Sequence, residues 1–222
     1  MFGRNPKRKP ILNDGDVLQI QEIFATMQGE GPHAGRASVF VRLGGCNLAC
    51  GFCDTEFESF APLSIQAIMQ QVQTCSANYV ASLVVITGGE PLRQNIAPLC
   101  EALIAQGYVV QIETNGTLFQ ALPHLVEIIC SPKAASGFYG TLRPDLLHRV
   151  NALKFIISAT QKPYDFVPEV GQSAIPSLPI YLQPMDEYCP LKNAHNMSHT
   201  IKLSKAKNYH LSLQLHKIIG VA

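Results

Sequence analysis

The chain has 222 residues, of which 47% are hydrophobic and 15% are charged, and its formal net charge is +1. This length fits one domain or a compact α/β unit, and the apolar content excludes disorder for most of the chain. A net charge near zero gives no reason to expect binding to nucleic acid or to a membrane surface. No segment has the roughly 20 apolar residues that a membrane helix needs, and no apolar run follows the basic start as in a signal peptide. We therefore expect a cytoplasmic protein.

The first 16 residues include a basic stretch in which Lys7, Arg8 and Lys9 lie between two prolines. We expect residues 1–16 to form a disordered, solvated extension, as chain termini often do. An arm that binds a partner or RNA is the alternative, but binding phosphates requires clustered cations. Residues 17–222 show no linker, repeat or low-complexity segment, so we predict that they form a single domain.

Short apolar runs rich in β-branched residues recur after this extension and predict strands that are buried on both faces of a parallel sheet. These runs cover residues 38–43, 83–87, 108–112, 126–130, 152–158, 179–182 and 211–215. Helical patterns cover residues 65–75, 98–106 and 194–208, and a proline-rich stretch over 162–179 predicts a long loop.

The alternation of strands and helices favours a parallel sheet with right-handed crossovers. A complete barrel of eight such units typically takes about 250 residues, so about six units fit this length better. The segment between the strands near residues 110 and 128 is too short for a full helix. We therefore predict an incomplete TIM-like βα barrel with a mostly parallel sheet.

The cysteines are unevenly placed, and three of the seven lie on one short loop as Cys46, Cys50 and Cys53. The loop directly follows a predicted strand, which is where barrel enzymes place their active sites. The other four lie among apolar neighbours and are expected to be small buried hydrophobes. In a reducing compartment, clustered thiols indicate metal ligation or redox chemistry.

Three cysteines suit a four-iron cluster that keeps one iron open. Such a cluster normally takes four cysteine ligands, and open positions distinguish catalytic metal sites from closed structural ones. The open iron could chelate the amino and carboxylate groups of S-adenosylmethionine (SAM), and one electron could then release a 5′-deoxyadenosyl radical. The alternative is a structural zinc knuckle, although a second cysteine hook is missing and the nearest preceding candidate ligand is His33.

The spacing Cys-x3-Cys-x2-Cys, with Phe52 before the last cysteine, resembles the radical SAM superfamily. The resemblance continues in Gly88-Gly89-Glu90-Pro91 at the end of the next predicted strand. In that superfamily this turn binds the amino group of SAM, and glycines allow such close backbone approach.

Further motifs resemble a narrower family, the 7-carboxy-7-deazaguanine synthases of queuosine and 7-deazapurine biosynthesis. The resemblance runs from about residue 19 to the end of the chain. The most diagnostic piece is Gln28-Gly29-Glu30-Gly31, and other matching segments are 41–47, 53–55, 112–117, 131–133, 183–185 and 214–217.

This resemblance implies a lyase that converts 6-carboxy-5,6,7,8-tetrahydropterin to 7-carboxy-7-deazaguanine with loss of ammonia. The implied cofactors are a 4Fe-4S cluster on the three cysteines, SAM and Mg²⁺. The implied substrate-binding residues are Met27, Gln28, Gly29, Glu30, Arg42, Thr87 and the terminal carboxylate of Ala222. The implied SAM-binding residues are Phe52, Cys53, Asp54, Gly89, Glu90, Ser131, Pro132, Lys133, Gln183, Pro184, Met185 and Asp186. Thr55 is the implied magnesium ligand.

Residue chemistry agrees with several of these roles. A carboxylate such as Glu30 suits the N–H edge of a pterin, and Arg42 can bind a carboxylate through two parallel hydrogen bonds. His216 is the only histidine in a matching motif, and we assign no histidine a catalytic role.

The family resemblance also implies partners: an electron donor such as flavodoxin or ferredoxin, and a second copy in a homodimer. Neither nucleic acid nor a membrane is an expected partner. Another radical SAM enzyme, such as an activase that installs a glycyl radical, is the main functional alternative, and the zinc module is a weaker one.

Overall fold

The computed structural model describes residues 5–134 and 136–221. Within this part of the chain the strands are β1 Val17–Met27, β2 Ala37–Leu43, β3 Ala61–Ser64, β4 Leu83–Gly88, β5 Val109–Thr114, β6 Glu127–Cys130, β7 Ala152–Ile157, β8 Ile180–Pro184 and β9 His210–Leu211. The helices are α1 Ile65–Tyr79, α2 Ala97–Ala105, α3 Pro144–Leu147, α4 Pro190–Lys207 and α5 Leu215–Ile219. Short 3-10 turns cover Gly31–His33, Pro91–Arg93 and Gln172–Ala174.

All these strands belong to one sheet, in the order β3-β1-β2-β4-β5-β6-β7-β8-β9. Along this order, each neighbouring pair from β2-β4 to β8-β9 is parallel, whereas β1 is antiparallel to both of its neighbours, β2 and β3. Parallel strands all end at the same edge, and an open set of six longer parallel strands forms part of a barrel. The predicted incomplete barrel with a mostly parallel sheet is confirmed.

The core lies between the sheet and the helices on its outer face. Its members include Val39 and Val41 of β2, Leu99 of α2 and Phe155 of β7, all fully buried. Continuous apolar strands are expected where helices cover one face and a filled interior lies on the other. No helix joins β5 to β6, which confirms the reduced crossover, and Leu118, Phe119 and Leu122 of that connection pack on the core instead.

The end of the chain differs from the prediction. A strand was expected over residues 211–215, but β9 comprises only His210–Leu211, and helix α5 begins at Leu215. The amide of Ser212 still donates to Leu182 O of β8 at 2.8 Å, and the Leu215 amide then donates to Gly29 O at 3.0 Å. The chain therefore leaves the sheet to cross toward the end of β1.

Strand β1 was not predicted, and apolar and polar residues alternate only over its residues 18–21 and 25–27. Its antiparallel pairing with β2 brings Met27 opposite Ala37. The glycine-rich turn over residues 28–31 follows directly, so β1 determines where the most diagnostic motif lies.

We expected residues 1–16 to form a disordered extension; within residues 5–16, hydrogen bonds connect the chain to the segments that follow β2 and β4. The Arg8 amide donates to Cys46 O at 2.7 Å, and the Ile11 amide donates to Arg93 O at 2.7 Å. Residues 1–4 lie outside the described part of the chain. Every helix within residues 5–134 and 136–221 is too short or too polar to cross a bilayer.

Candidate active site

A cavity of about 350 Å³ opens at the edge where the parallel strands end. Most of the residues proposed from the sequence line it: Met27, Gln28, Glu30, Arg42, Cys46, Cys50, Phe52, Cys53, Asp54, Thr55, Thr87, Gly89, Ser131, Lys133, Gln183, Pro184, Met185 and Asp186. Gly29, Glu90 and Pro132 are described residues that do not line it, and Ala222 lies outside the described part of the chain. The motifs are far apart in sequence, yet the fold brings them to one cavity.

The three cysteines are free thiols on the loop that follows β2. Cys46 is buried and receives weak hydrogen bonds at Sγ from the Leu48 amide at 3.4 Å and from Asn115 Nδ2 at 3.8 Å. Burial raises the pKa of Cys46 to about 11 and also raises the pKa values of Cys50 and Cys53. These thiols must therefore lose their protons as a metal binds.

The donor set of this loop fits an iron–sulfur cluster. Within residues 5–134 and 136–221, no three His, Cys, Asp or Glu side chains converge on a point that could hold a single metal ion. Each cysteine of a four-iron cluster binds a different iron, so the three sulfurs need not converge on one point. Three cavity-facing thiols on one loop suit that arrangement.

The Gly88-Gly89 turn contacts the backbone at the end of β2. Gly88 has φ +116°, and a Cβ there would lie 2.2 Å from Leu43 O. A Cβ on Gly89 would lie 1.9 Å from Gly45 O. Only glycine allows this approach, which places the turn directly behind the cysteine loop.

Glu90 is buried and its oxygens are already bonded within the protein. Oε1 accepts from the Leu92 amide at 3.0 Å and from Thr114 Oγ1 at 2.7 Å, and Oε2 accepts from the Asn115 amide at 2.7 Å. Burial raises the pKa of Glu90, and these hydrogen bonds oppose that rise. The contacts favour a role in orienting the turn rather than in binding the amino group of SAM.

A buried ion network that was not predicted from the sequence occupies the other end of the cavity. Lys154 of β7 forms ion pairs with Glu30 and with Glu113 of β5, the latter at 2.8 Å. Gln183 and Gln214 each donate to Glu30 Oε1 at 3.1 Å, and Gln28 donates to Glu113 Oε1 at 3.1 Å. We call Glu30, Lys154 and Glu113 the ion triad.

The electrostatics favour the ionised forms of Glu30 and Lys154. Burial by itself would raise the pKa of Glu30, but the charge and hydrogen bond of Lys154 outweigh it and lower this pKa. Burial likewise favours neutral Lys154, but the two carboxylates raise its pKa well above the ordinary value. Counted by formal charge, two carboxylates and one ammonium leave one net negative charge beside the cavity.

Arg42 and Thr87 pair across the parallel strands β2 and β4 and so lie side by side at the cavity. The Arg42 guanidinium forms an ion pair with Glu22 and lies 5.2 Å from the centre of the Phe24 ring. Its Nε is buried and has no hydrogen-bond partner among the described residues. A buried donor without a partner indicates a place where a ligand oxygen could bind.

Side chains around the cysteine loop form the rest of the rim. Phe52 packs edge-on against Tyr164 with ring centres 5.0 Å apart, and Lys133 Nζ donates to Ser131 O at 2.7 Å. Burial lowers the pKa of Lys133. Thr55 Oγ1 donates to Asp54 Oδ1 at 3.3 Å, so the predicted magnesium ligand also faces the cavity.

The segment after β9 adds cavity residues to which the sequence analysis assigned no role, although segment 214–217 matches the family. Gln214, His216 and Lys217 all line the cavity, and Lys217 pairs with Asp54 at 3.1 Å and Asp186 at 2.9 Å. Burial lowers the pKa of His216, which favours the neutral ring. A Cβ on Gly29 would lie 2.0 Å from His216 Nδ1, so glycine is needed at that turn.

Comparisons with known proteins agree with this geometry. The profile of the Radical SAM superfamily matches residues 40–133. A 7-carboxy-7-deazaguanine synthase of Rickettsia prowazekii is 49% identical, over 100% of this chain and 96% of the relative. One of Rhodospirillum rubrum is 41% identical over 100% of both chains.

A solved structure gives the same result at the level of the fold. The crystal structure of QueE from Escherichia coli matches with a TM-score of 0.71 and 25% identity, covering 90% of this chain and 95% of that one. The chain therefore belongs to the 7-carboxy-7-deazaguanine synthase family of radical SAM enzymes.

Proposed function

We propose that the protein is a lyase that converts 6-carboxy-5,6,7,8-tetrahydropterin to 7-carboxy-7-deazaguanine and ammonia. The observation that carries the proposal is that the cysteine loop and the Gln28–Glu30 turn face the same cavity, in a chain closely related to named synthases. The name of those relatives favours this reaction over the installation of a glycyl radical on a protein partner.

Cys46, Cys50 and Cys53 would hold a 4Fe-4S cluster, with SAM bound between it and the Gly89 turn. When bound, these cofactors supply a 5′-deoxyadenosyl radical that removes hydrogen from the substrate. Phe52, the backbone of Cys53 and Asp54, and the segments 131–133 and 183–186 would surround the nucleoside part. Gln183 Oε1 supports this role, because it is buried without a partner among the described residues.

The ion triad would bind the N–H edge of the pterin ring. Glu30 Oε2 accepts only from Lys154 among the described residues, so one lone pair stays available for an N–H of the pterin. Lys154 keeps Glu30 ionised, and Gln214 and Gln183 hold its other oxygen in place. The carboxylate therefore needs little rearrangement when the substrate arrives.

Arg42 and Thr87 would bind the substrate carboxylate. The free Nε of Arg42 supports this role, since a second parallel hydrogen bond fixes direction as well as distance. We further propose Mg²⁺ at Thr55, where the substrate carboxylate and water would complete the oxygen ligands that the ion prefers. The remaining proposals are a cytoplasmic homodimer, a flavodoxin or ferredoxin donor, and a substrate contact from Ala222.

Anaerobic turnover tests the function directly. Protein reconstituted with iron and sulfide should convert carboxytetrahydropterin to the deazapurine when SAM, Mg²⁺ and dithionite are present, as followed by mass spectrometry. A Cys50→Ala variant should lose the activity, whereas a Cys75→Ala variant should keep it, because Cys75 lies on α1 away from the cavity. Colourless, zinc-loaded protein, or intact activity in Cys50→Ala, would contradict the proposal.

A further inference from the structure

Residues 5–11, which we call the N-terminal strap, lie along the cysteine loop. Hydrogen bonds join the strap to both ends of that loop. Asn5 Nδ2 donates to Thr55 O at 3.1 Å, and the Arg8 amide donates to Cys46 O at 2.7 Å. The Arg8 guanidinium pairs with Glu58 and lies 5.1 Å from the centre of the Phe60 ring. The strap is therefore a built part of the cluster site.

The strap presents free positive charge beside the cluster loop. Lys7 and Lys9 are exposed and form no ion pair with any described residue, whereas the Arg8 charge is matched by Glu58. Nearby, Asp54 pairs with Lys217, while Glu56 accepts hydrogen bonds from Gln21 and from backbone amides but has no ion pair among the described residues. Within the strap itself, the charges that lack an ion pair are therefore the positive charges of Lys7 and Lys9.

The same side gives access to the cluster position. Ala49 and Gly51, which flank Cys50, are both exposed, and Cys50 itself is half-buried. Lys7 forms a single parallel β-bridge with Cys46, so it lies beside the cysteine loop.

We propose that the N-terminal strap is the docking surface for an acidic one-electron carrier protein of the flavodoxin type. The proposal rests on the proposed function, which requires one electron from outside for each activation of SAM. Acidic carriers complement the free charges of Lys7 and Lys9, and such complementarity raises association rates. In the docked pair the reduced flavin loses one electron, the oxidised cluster gains it, and no proton needs to cross.

Reversing the two charges tests the proposal on the full chain with its cluster. A Lys7→Glu/Lys9→Glu variant should be reduced about tenfold more slowly by flavodoxin hydroquinone at low salt, because charge reversal at an interface chiefly lowers the association rate. Stopped-flow bleaching of the cluster absorption measures this step without any substrate. Reduction by dithionite should stay within about twofold of wild type, since a small reductant needs no docking surface.

Two control variants sharpen the result. Lys7→Arg/Lys9→Arg keeps the charge and should reduce at the wild-type rate with flavodoxin. Lys202→Glu/Lys205→Glu makes the same charge change on exposed positions of α4. Lys205 lies nine residues, or about 14 Å along the helix, beyond Asn196, which contacts Met185 at the cavity rim. This remote pair should leave the flavodoxin rate unchanged.

The outcomes separate the docking proposal from the function. Equal flavodoxin rates in the charge-reversed variant and wild type would overturn the docking surface, as would an equal loss with both reductants. A strap that binds a short RNA while flavodoxin reduction is unaffected would also overturn it. Absence of pterin conversion by wild type with dithionite would instead overturn the proposed function, because flavodoxin reduction of the cluster is measured independently.

Discussion

At the scale of single residues, the cavity depends on a charge that apolar surroundings would normally exclude. Lys154 is a lone cation on a strand whose neighbours Leu153 and Phe155 are fully buried. A buried ammonium is costly unless it is paired, and the carboxylates of Glu30 and Glu113 provide the pairing. Each member of the triad therefore depends on the others.

Replacing Lys154 with Met should destabilise the fold and abolish pterin turnover. Removing one partner of a buried ion pair typically costs about 3–5 kcal/mol, because it leaves uncompensated buried charge. Urea unfolding at neutral pH measures the loss, and Lys154→Arg, which keeps the charge, should lose less. A free energy of unfolding for Lys154→Met within about 1 kcal/mol of wild type would contradict this account.

The same variant should change the response to acid. In the wild type the pKa of Glu30 lies below its ordinary value of 4.5, so its ionised form stabilises the fold above that value. This contribution is lost as the pH falls through the lowered pKa. Without Lys154, burial would raise the pKa of Glu30 above its unfolded value, so protonating Glu30 would then favour the folded state. The loss of unfolding free energy in Lys154→Met, relative to wild type, should therefore be largest at neutral pH and should shrink as the pH falls toward 4.5. A loss that stays constant or grows over this pH range in urea unfolding would oppose this assignment.

The sequence revealed only part of this site. The cysteine spacing and the glycine turn are local patterns, so they could be recognised without a fold. Lys154 could not, because its partners Glu30 and Glu113 lie 124 and 41 residues away in the chain. The available signals were the single charged residue in each of the strands β5 and β7, and the matching segment 112–117, which contains Glu113.

At the scale of elements, the turn after β4 and the loop after β2 are held together by close backbone contact. The Gly89 amide donates to Leu43 O at 3.0 Å, and the Glu90 amide donates to Gly45 O at 3.0 Å. These bonds extend the pairing of β2 with β4 past the ends of the strands. The cysteine loop therefore starts from a fixed position.

Gly89→Ala should break this contact. The new Cβ would lie 1.9 Å from Gly45 O and 2.9 Å from Cys46 N, and neither backbone atom can rotate away. Overpacking of this kind costs about 1–3 kcal/mol or more, and we expect a lower melting temperature with less iron bound after reconstitution. Gly51→Ala is the matched control, since no heavy atom lies within 4 Å of its Cβ position. Equal iron content in the two variants would refute the proposed constraint.

Strands were predicted well where their burial gives a continuous apolar run in the sequence. They were predicted poorly where only a few residues pair with the neighbouring strand. The apolar parallel strands were found to within a few residues of their ends. Residues 211–215 alternate like a strand, but β8 pairs only with His210 and Leu211. Beyond these, contact with the turn at Gly29 replaces the sheet pairing, and this contact is made only in the folded protein.

At the scale of the whole molecule, the two outer parts of the sheet are brought together by the segment after β9. Ser212 Oγ accepts from the Gly31 amide at 3.0 Å, and the Leu215 amide donates to Gly29 O at 3.0 Å. These bonds lie between the β1 side and the β9 side of a sheet whose strands do not close into a ring. The segment thus completes the wall around the cavity.

Ending the chain after residue 213 should weaken substrate binding and spare the cluster. The truncation removes Gln214 from Glu30, and Lys217 from Asp54 and Asp186. We expect at least about a tenfold rise in the KM for the pterin, because interactions with charged partners contribute about 1.5–3 kcal/mol each. Iron content serves as the control and should stay close to wild type. An unchanged KM would show that the segment does not contribute to binding.

The triad and the guanidinium of Arg42 give the cavity two poles. One pole carries a net negative charge on Glu30, Lys154 and Glu113, and the other presents the unsatisfied Nε of Arg42. A ligand with a donor-rich heterocycle and an anionic group is attracted to the triad through the heterocycle and to Arg42 through the anionic group. In the reversed orientation the anionic group would be repelled by the negative charge of the triad, so the polarity of the cavity selects one orientation of the ligand before close contacts form.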